Sequence, residues 1–205
     1  MKVFSRDFID MGRLPLECTF GTFERFPNGG RDRFKVRENR NPSLRWVAVP
    51  PESKSIVVIC DDLDAADVSQ ADWASGTLPK DIKKRELCHW MLIDCPVDSG
   101  GIAKGEFSDG VFLGGKPGPE SHYGSRQGRN SMTEFFADDL MMKGDYFGYD
   151  GPCPPFGAQP HRYRFAVYAV KVEMLSGVKG AFTREDVFAA MKGLILAEAS
   201  IIGCF

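Results

Sequence analysis

Three short polar clusters in this chain have the side chains that anion binding, acid–base work or metal ligation needs. They are Asp61, Asp62 and Asp64, then His89, then His161. Each lies beside an apolar run: SIVVIC before the aspartates, CHWMLIDC around His89, and RYRFAVYAV after His161. Neighbouring strand ends in a sheet can converge on one rim. Two imidazoles and two carboxylates there make a small polar pocket in an aromatic wall. A carboxylate hydrogen-bonded to an imidazole favours its cationic form. The imidazolium then donates charge-assisted hydrogen bonds to a phosphate or carboxylate oxygen. Backbone N–H groups near Gly151 add neutral donors. The plainer alternative for each histidine is a satisfied structural residue.

The same groups allow a second chemistry. Two His and one Asp match the ligand set of non-haem iron oxygenases or zinc hydrolases. No H-x-H or H-E-x-x-H spacing supports it. GVFLGGK, Gly110 to Lys116, nearly spells a phosphate-binding loop, but Pro117 stands where Ser or Thr is required. It supplies neither hydroxyl nor N–H, so a nucleotide site is rejected. No G-x-S-x-G occurs, and no nucleophilic triad is indicated. Cys153, framed by prolines and near His161 in sequence, is more simply a packing residue.

These groups need a frame. Tyr149 to Pro160 is rich in proline and glycine and reads as a stiff loop, and Tyr163 to Val170 as the strand it feeds. His161 stands where one becomes the other. Leu44 to Val49, Ser55 to Cys60 and Cys88 to Cys95 also read as strands, the second covered on both faces. One or two short strands are expected over residues 3–26, and a charged loop over Pro27 to Pro42 with Arg31, Arg33, Lys35, Arg37 and Arg40. Helix is expected around Ile82 to Leu87, over Phe135 to Met142, and from an N-cap at Thr183 through Val187, Met191, Leu194, Ile195 and Ala199. Gly100 to Lys143 is long, glycine-rich and weakly patterned. It and the charged loop are expected to be the mobile or partner-facing parts. Several strands and few helices predict an antiparallel sheet architecture.

Composition bounds the function. The 205 residues fit one large domain or two small ones, and at 43% hydrophobic and 26% charged they are ordinary for a soluble globular protein. The 16 Phe imply a thick aromatic core. A net charge of −2 argues against a nucleic-acid binder driven by phosphate neutralisation. No secretory signal and no transmembrane segment is read. The six scattered cysteines are then expected to be free thiols in the cytoplasm.

Several segments together resemble the phosphatidylethanolamine-binding protein family, the group that includes Raf kinase inhibitor protein. GPCPPFGAQPHRYRF resembles its GPCPP…HRY signature. ICDDLDAAD resembles its D-P-D-A-P segment, with Asp62 and Asp64 on the two aspartates. CHW at Cys88 to Trp90 matches its His-bearing strand, and NPSLRW at Asn41 to Trp46 its S-P-x-L-x-W segment. LAEASIIGCF resembles the tail of bacterial members. Leu63 and Ala66 depart from the two prolines of D-P-D-A-P, and Leu87 stands where many members have Trp.

The resemblance implies a β-sandwich, a large antiparallel sheet with a smaller one, carrying a C-terminal helix and few short helices. It implies one domain over residues 1–205 and an anion pocket formed by Asp62, Asp64, His89, His161 and Tyr163. The implied function is non-enzymatic binding of small anions or phosphate-containing head groups, without cofactor or metal. Partners are a phosphate-containing small molecule or phospholipid head group, with room for a protein partner or a homodimer. A metal-dependent hydrolase or oxygenase is the alternative. The Asp62–Leu63 peptide is expected to be trans, because a cis bond to a non-proline residue costs about 2.5–4 kcal/mol.

Overall fold

The computed structural model describes residues 1–24, 33–67, 83–155 and 158–205. Its strands are β1 (Lys2–Phe4), β2 (Gly12–Arg13), β3 (Gly21–Glu24), β4 (Arg33–Val36), β5 (Leu44–Val47), β6 (Ser55–Asp62), β7 (Leu87–Pro96), β8 (Gly101–Ile102), β9 (Arg126–Gln127), β10 (Arg162–Val170) and β11 (Ile195–Cys204). Two α-helices, α1 (Met132–Phe135) and α2 (Arg184–Met191), complete the set among the described residues.

The strands form a six-stranded sheet in the order β2-β11-β10-β6-β7-β9, a three-stranded sheet β1-β5-β8 and a two-stranded sheet β3-β4. Every ladder is antiparallel except that of β2 with β11. The expected mainly-β architecture, a large sheet with smaller ones, is what the chain adopts.

The core follows from strand alternation. Ile56, Val58 and Cys60 of β6 face one way, into a cluster with Trp46 and Leu44 of the small sheet and Phe165 and Val167 of β10. Val57 and Ile59 face the other way, against Leu175, Phe182, and Val187 and Met191 of α2. Every residue of β6 is therefore buried. Phe8, Phe20, Phe107, Phe136, Phe147, Phe165 and Phe182 are buried as expected of an aromatic core, whereas Phe4 and Phe112 are exposed. No disulfide joins any of the six cysteines.

Several expectations are corrected. The C-terminal helix is not terminal. Thr183 caps α2 with a reciprocal box to Asp186, but the helix stops at Met191. Gly193, at φ 74°, turns the chain, and Ile195 onward is the strand β11. Apolar residues on both parities of that segment satisfied a helical spacing and a strand equally well. The short helix expected over residues 135–142 lies earlier, as α1, because the Asn130 side chain accepts the Met132 N–H at 2.9 Å and starts it there. Asp139 then takes the N–H groups of Met141 and Met142 and makes a turn. The helix expected around Ile82 to Leu87 falls partly outside the described residues. Residues 83–86 are not helical, and Leu87 opens β7.

The described parts of the two segments expected to be mobile or partner-facing, residues 33–42 and 100–143, are tied to the rest of the chain. From Arg33 the charged loop is the strand β4, paired with β3; Arg31 lies outside the described residues. Arg37 bonds Thr22 and Glu24, and Arg40 pairs with Asp109. Within residues 100–143, Phe107, Lys116, Gln127, Asn130, Met132 and Phe136 are buried. Their anchors are long-range polar contacts, to which hydrophobic periodicity is blind.

Candidate functional site

The apolar run of β6 is prolonged by Asp61 and Asp62, which alternation sends to opposite faces. Asp62 lies beside Tyr163 of β10 in the ladder. Its Oδ2 accepts a hydrogen bond from His161 Nδ1 at 2.8 Å, and its Oδ1 accepts the Asp64 N–H at 2.8 Å. The Tyr163 hydroxyl also bonds Asp62; burial first, and the Asp62 charge second, push that phenol well above its usual range. His161 is held at its backbone by a reciprocal pair with Phe205, at 2.8 and 3.0 Å. A ring fixed at both main chain and Nδ1 leaves Nε2 for a ligand.

His89 reaches the same face through a local irregularity. Cys60 pairs with Trp90 and Asp61 with Cys88, so β7 spends one extra residue there, and that residue is His89. A β-bulge re-aims a side chain. Simple alternation would send His89 toward α2 with Met91 and Ile93; the bulge sets its ring edge-on to Tyr163, with centroids 5.3 Å apart. His89 Nδ1 lies 2.6 Å from the Asp150 carbonyl oxygen, which can only accept. Nδ1 therefore carries the proton and Nε2 is again the nitrogen left over.

Asp150 is the residue that sequence reasoning missed. It is fully buried, and its carboxylate takes Asn39 and Asn130 side-chain N–H groups at 2.7 Å each and the Lys116 ammonium at 2.9 Å. Lys116 also donates to Tyr149 O and Ser108 Oγ. A buried carboxylate so satisfied is fixed in place, and with it the carbonyl that orients His89. Asn39 Oδ1 accepts the Gly151 N–H at 2.8 Å. A Cβ on Gly151 would lie 2.0 Å from Cys18 O, which is why the stiff loop opens on glycine. The only sequence signal was the unexplained Asp beside GPCPP.

Asp62, His89, His161 and Tyr163 line one cavity of about 300 Å³. Arg85 lines it as well, a cation that the sequence reading did not single out; its Nε lies 3.6 Å from Asp67. Cys153 lines it too, with burial pushing the thiol up to about 12, far from a ready nucleophile. The remaining wall is mostly aromatic and aliphatic.

Asp64 and Asp61 do not join these four. Asp64 turns outward to Arg162, at 2.7 Å, and Lys84, at 3.0 Å, and the Arg162 hydrogen bond holds its carboxyl well below the usual range. Asp61 is on the α2 side of the sheet, bound by Arg164 and Arg184. Leu63 is half-buried, and its N–H donates to Arg162 O at 2.9 Å. The Asp62–Leu63 peptide is trans, the cis bond among the described residues being Gly118–Pro119. Also among the described residues, no three His, Cys, Asp or Glu side chains converge as a metal-ligand set. Asp62, the carboxylate that would complete a two-His, one-Asp set, bonds His161 Nδ1 instead. No helix among the described residues is long and apolar enough to cross a membrane.

Residues 4–205 match the family model described as phosphatidylethanolamine-binding protein. A UPF0098 protein of Methanothermobacter thermautotrophicus is 30% identical over 205 residues, covering 100% of this chain and 98% of that one. The UPF0098 protein YbhB of Escherichia coli is 32% identical, covering 100% of this chain and 99% of its own. Among solved structures, Escherichia coli YbcL, described as a member of the mammalian PEBP family, superposes with a TM-score of 0.66 at 24% identity, over 100% of this chain and 96% of that one.

Proposed function

Since this chain belongs to the phosphatidylethanolamine-binding protein family, we propose that it is a non-enzymatic, single-domain binding protein for small anions or phosphate-containing head groups. The observation that carries the reading is the paired disposition of His89 and His161. Each spends Nδ1 on a fixed oxygen and lines the same cavity, which leaves Nε2 as the nitrogen for a ligand. The Asp62 carboxylate bonds His161 Nδ1, and an imidazolium donates charge-assisted bonds to an anionic oxygen. Arg85 adds a guanidinium to the lining. Tyr163 packs against both imidazoles, and its hydroxyl donates to Asp62. Asp64 contributes from outside, through its N–H to Asp62 and its tie to Arg162. Cysteines outside disulfides suit a reducing, cytoplasmic setting.

A phosphorus NMR titration with inorganic phosphate and phosphoethanolamine tests this. The expected result is saturable broadening with one equivalent site, reduced in His89→Ala and His161→Ala. Absence of saturable binding at millimolar ligand contradicts it. Stoichiometric zinc or iron in the purified protein, with turnover of an ester or oxidation of a substrate, moves the assignment to a metalloenzyme.

A further inference from the structure

We infer that Lys116, the lysine of the GVFLGGK run, is a positioning residue for His89, acting through Tyr149 and Asp150. The inference rests on the anion-binding reading and deepens it. Lys116 is an ammonium almost wholly removed from water, with 7% of its side chain exposed. An ammonium has three N–H donors, and three acceptors meet this one. They are Asp150 Oδ1 at 2.9 Å, Ser108 Oγ at 3.2 Å and the Tyr149 carbonyl oxygen. Two of these acceptors belong to consecutive residues. Lys116 therefore grips one dipeptide by a main-chain oxygen and by a carboxylate.

That dipeptide meets His89 twice. The Asp150 N–H donates to His89 O at 3.0 Å, and the Asp150 carbonyl oxygen accepts from His89 Nδ1 at 2.6 Å. A shift of this unit moves the oxygen that fixes the imidazole. The backbone brings the ammonium to it. The Lys116 N–H donates to Asp145 O at 2.8 Å and the Phe147 N–H to Lys116 O at 3.2 Å, bridging Lys116 to Tyr146. A buried ion pair is often no more stabilising than apolar residues of the same volume. Stability alone is therefore a poor account of Lys116 and Asp150. What the pair does supply is a fixed place for the two backbone groups that hold His89.

Nitrogen NMR of the full chain labelled at its histidines tests this, beside calorimetric titration of inorganic phosphate. The wild type is expected to show a slowly exchanging Nδ1–H signal for His89. Lys116→Met keeps the stem and removes the ammonium. In the folded variant that Nδ1–H is expected to exchange faster, and phosphate binding to weaken by about tenfold, with the His161 ring signal unchanged. Should Asp150, left buried without its cation, prevent folding, Lys116→Met/Asp150→Ala removes both charges. Asn39 and Asn130 then keep the carbonyl oxygens of Gly110 and Gly148 as acceptors. This variant is expected to fold and to show the same two losses. Either variant, folded and with the wild-type His89 signal and phosphate affinity, overturns the inference, makes Lys116 a purely structural residue and leaves the anion reading standing. A wild type that binds no phosphate overturns the anion reading, and the His89 signal alone then decides whether Lys116 holds the ring.

Discussion

Asp61 and Asp62 are consecutive, of one type and on one strand, yet they end in opposite situations. Asp61 is fully buried and saturated: Arg184 Nε donates to it at 2.9 Å and Arg164 Nη2 at 3.1 Å, while Arg184 also reaches Glu86 and covers the Phe188 ring. It clasps α2 to the sheet. Asp62 is also buried, but its partner His161 spends only Nδ1 on it and lines a cavity. Burial and residue type do not separate structural from ligand-directed carboxylates here. What separates them is whether the partner is used up.

The sharpest break of that comparison is Asp61→Ala. It strips two guanidinium groups of their shared buried partner, which costs about 3 kcal/mol, the lower figure for a broken buried pair because both arginines are partly exposed. Urea unfolding should show that loss, and phosphate affinity at temperatures where the variant is folded should be unchanged. Asp62→Asn should do the reverse. The amide keeps the shape and the Asp64 N–H bond, so stability should fall by only about 1 kcal/mol, whereas phosphate binding should weaken by about tenfold as His161 loses its anionic partner. If Asp61→Ala weakens binding as much as Asp62→Asn, the two faces are not separate.

Asp64 supplies the smallest effect and a different signature. Its carboxyl is lowered by Arg162, so its contribution to stability is present above the unfolded-state value of about 4 and is lost as pH falls through the lower folded value. Arg162 is solvent-exposed, so the contribution is small. Asp64→Asn should leave stability near neutrality almost unaltered and remove part of the acid destabilisation below about pH 4. Thermal melts across that range check it.

Much of this frame is legible in the chain, for identifiable reasons. β6, β7 and β10 are continuous apolar runs that only a doubly covered sheet explains, and their polar ends place Asp62, His89 and His161 on one rim. The HRY segment, with Tyr163, is specific enough to carry the family. What escapes is of two kinds. The terminal strand β11 hides because its apolar residues suit both periods. The polar network behind His89 hides because its members are remote in sequence: Asn39 and Asp150 are 111 positions apart and meet only when β7 and the stiff loop are in place. The bulge that turns His89 toward Tyr163 has no local signature either, since it is a property of two strands together.

The central claim, that His161 holds an anion through Nε2 while Asp62 holds Nδ1, is tested most directly by calorimetric titration of inorganic phosphate into the wild type and His161→Ala at about pH 6. The variant should bind more weakly by about ten- to a hundredfold, the worth of one charge-assisted hydrogen bond. Equal affinity of the two proteins would contradict the account.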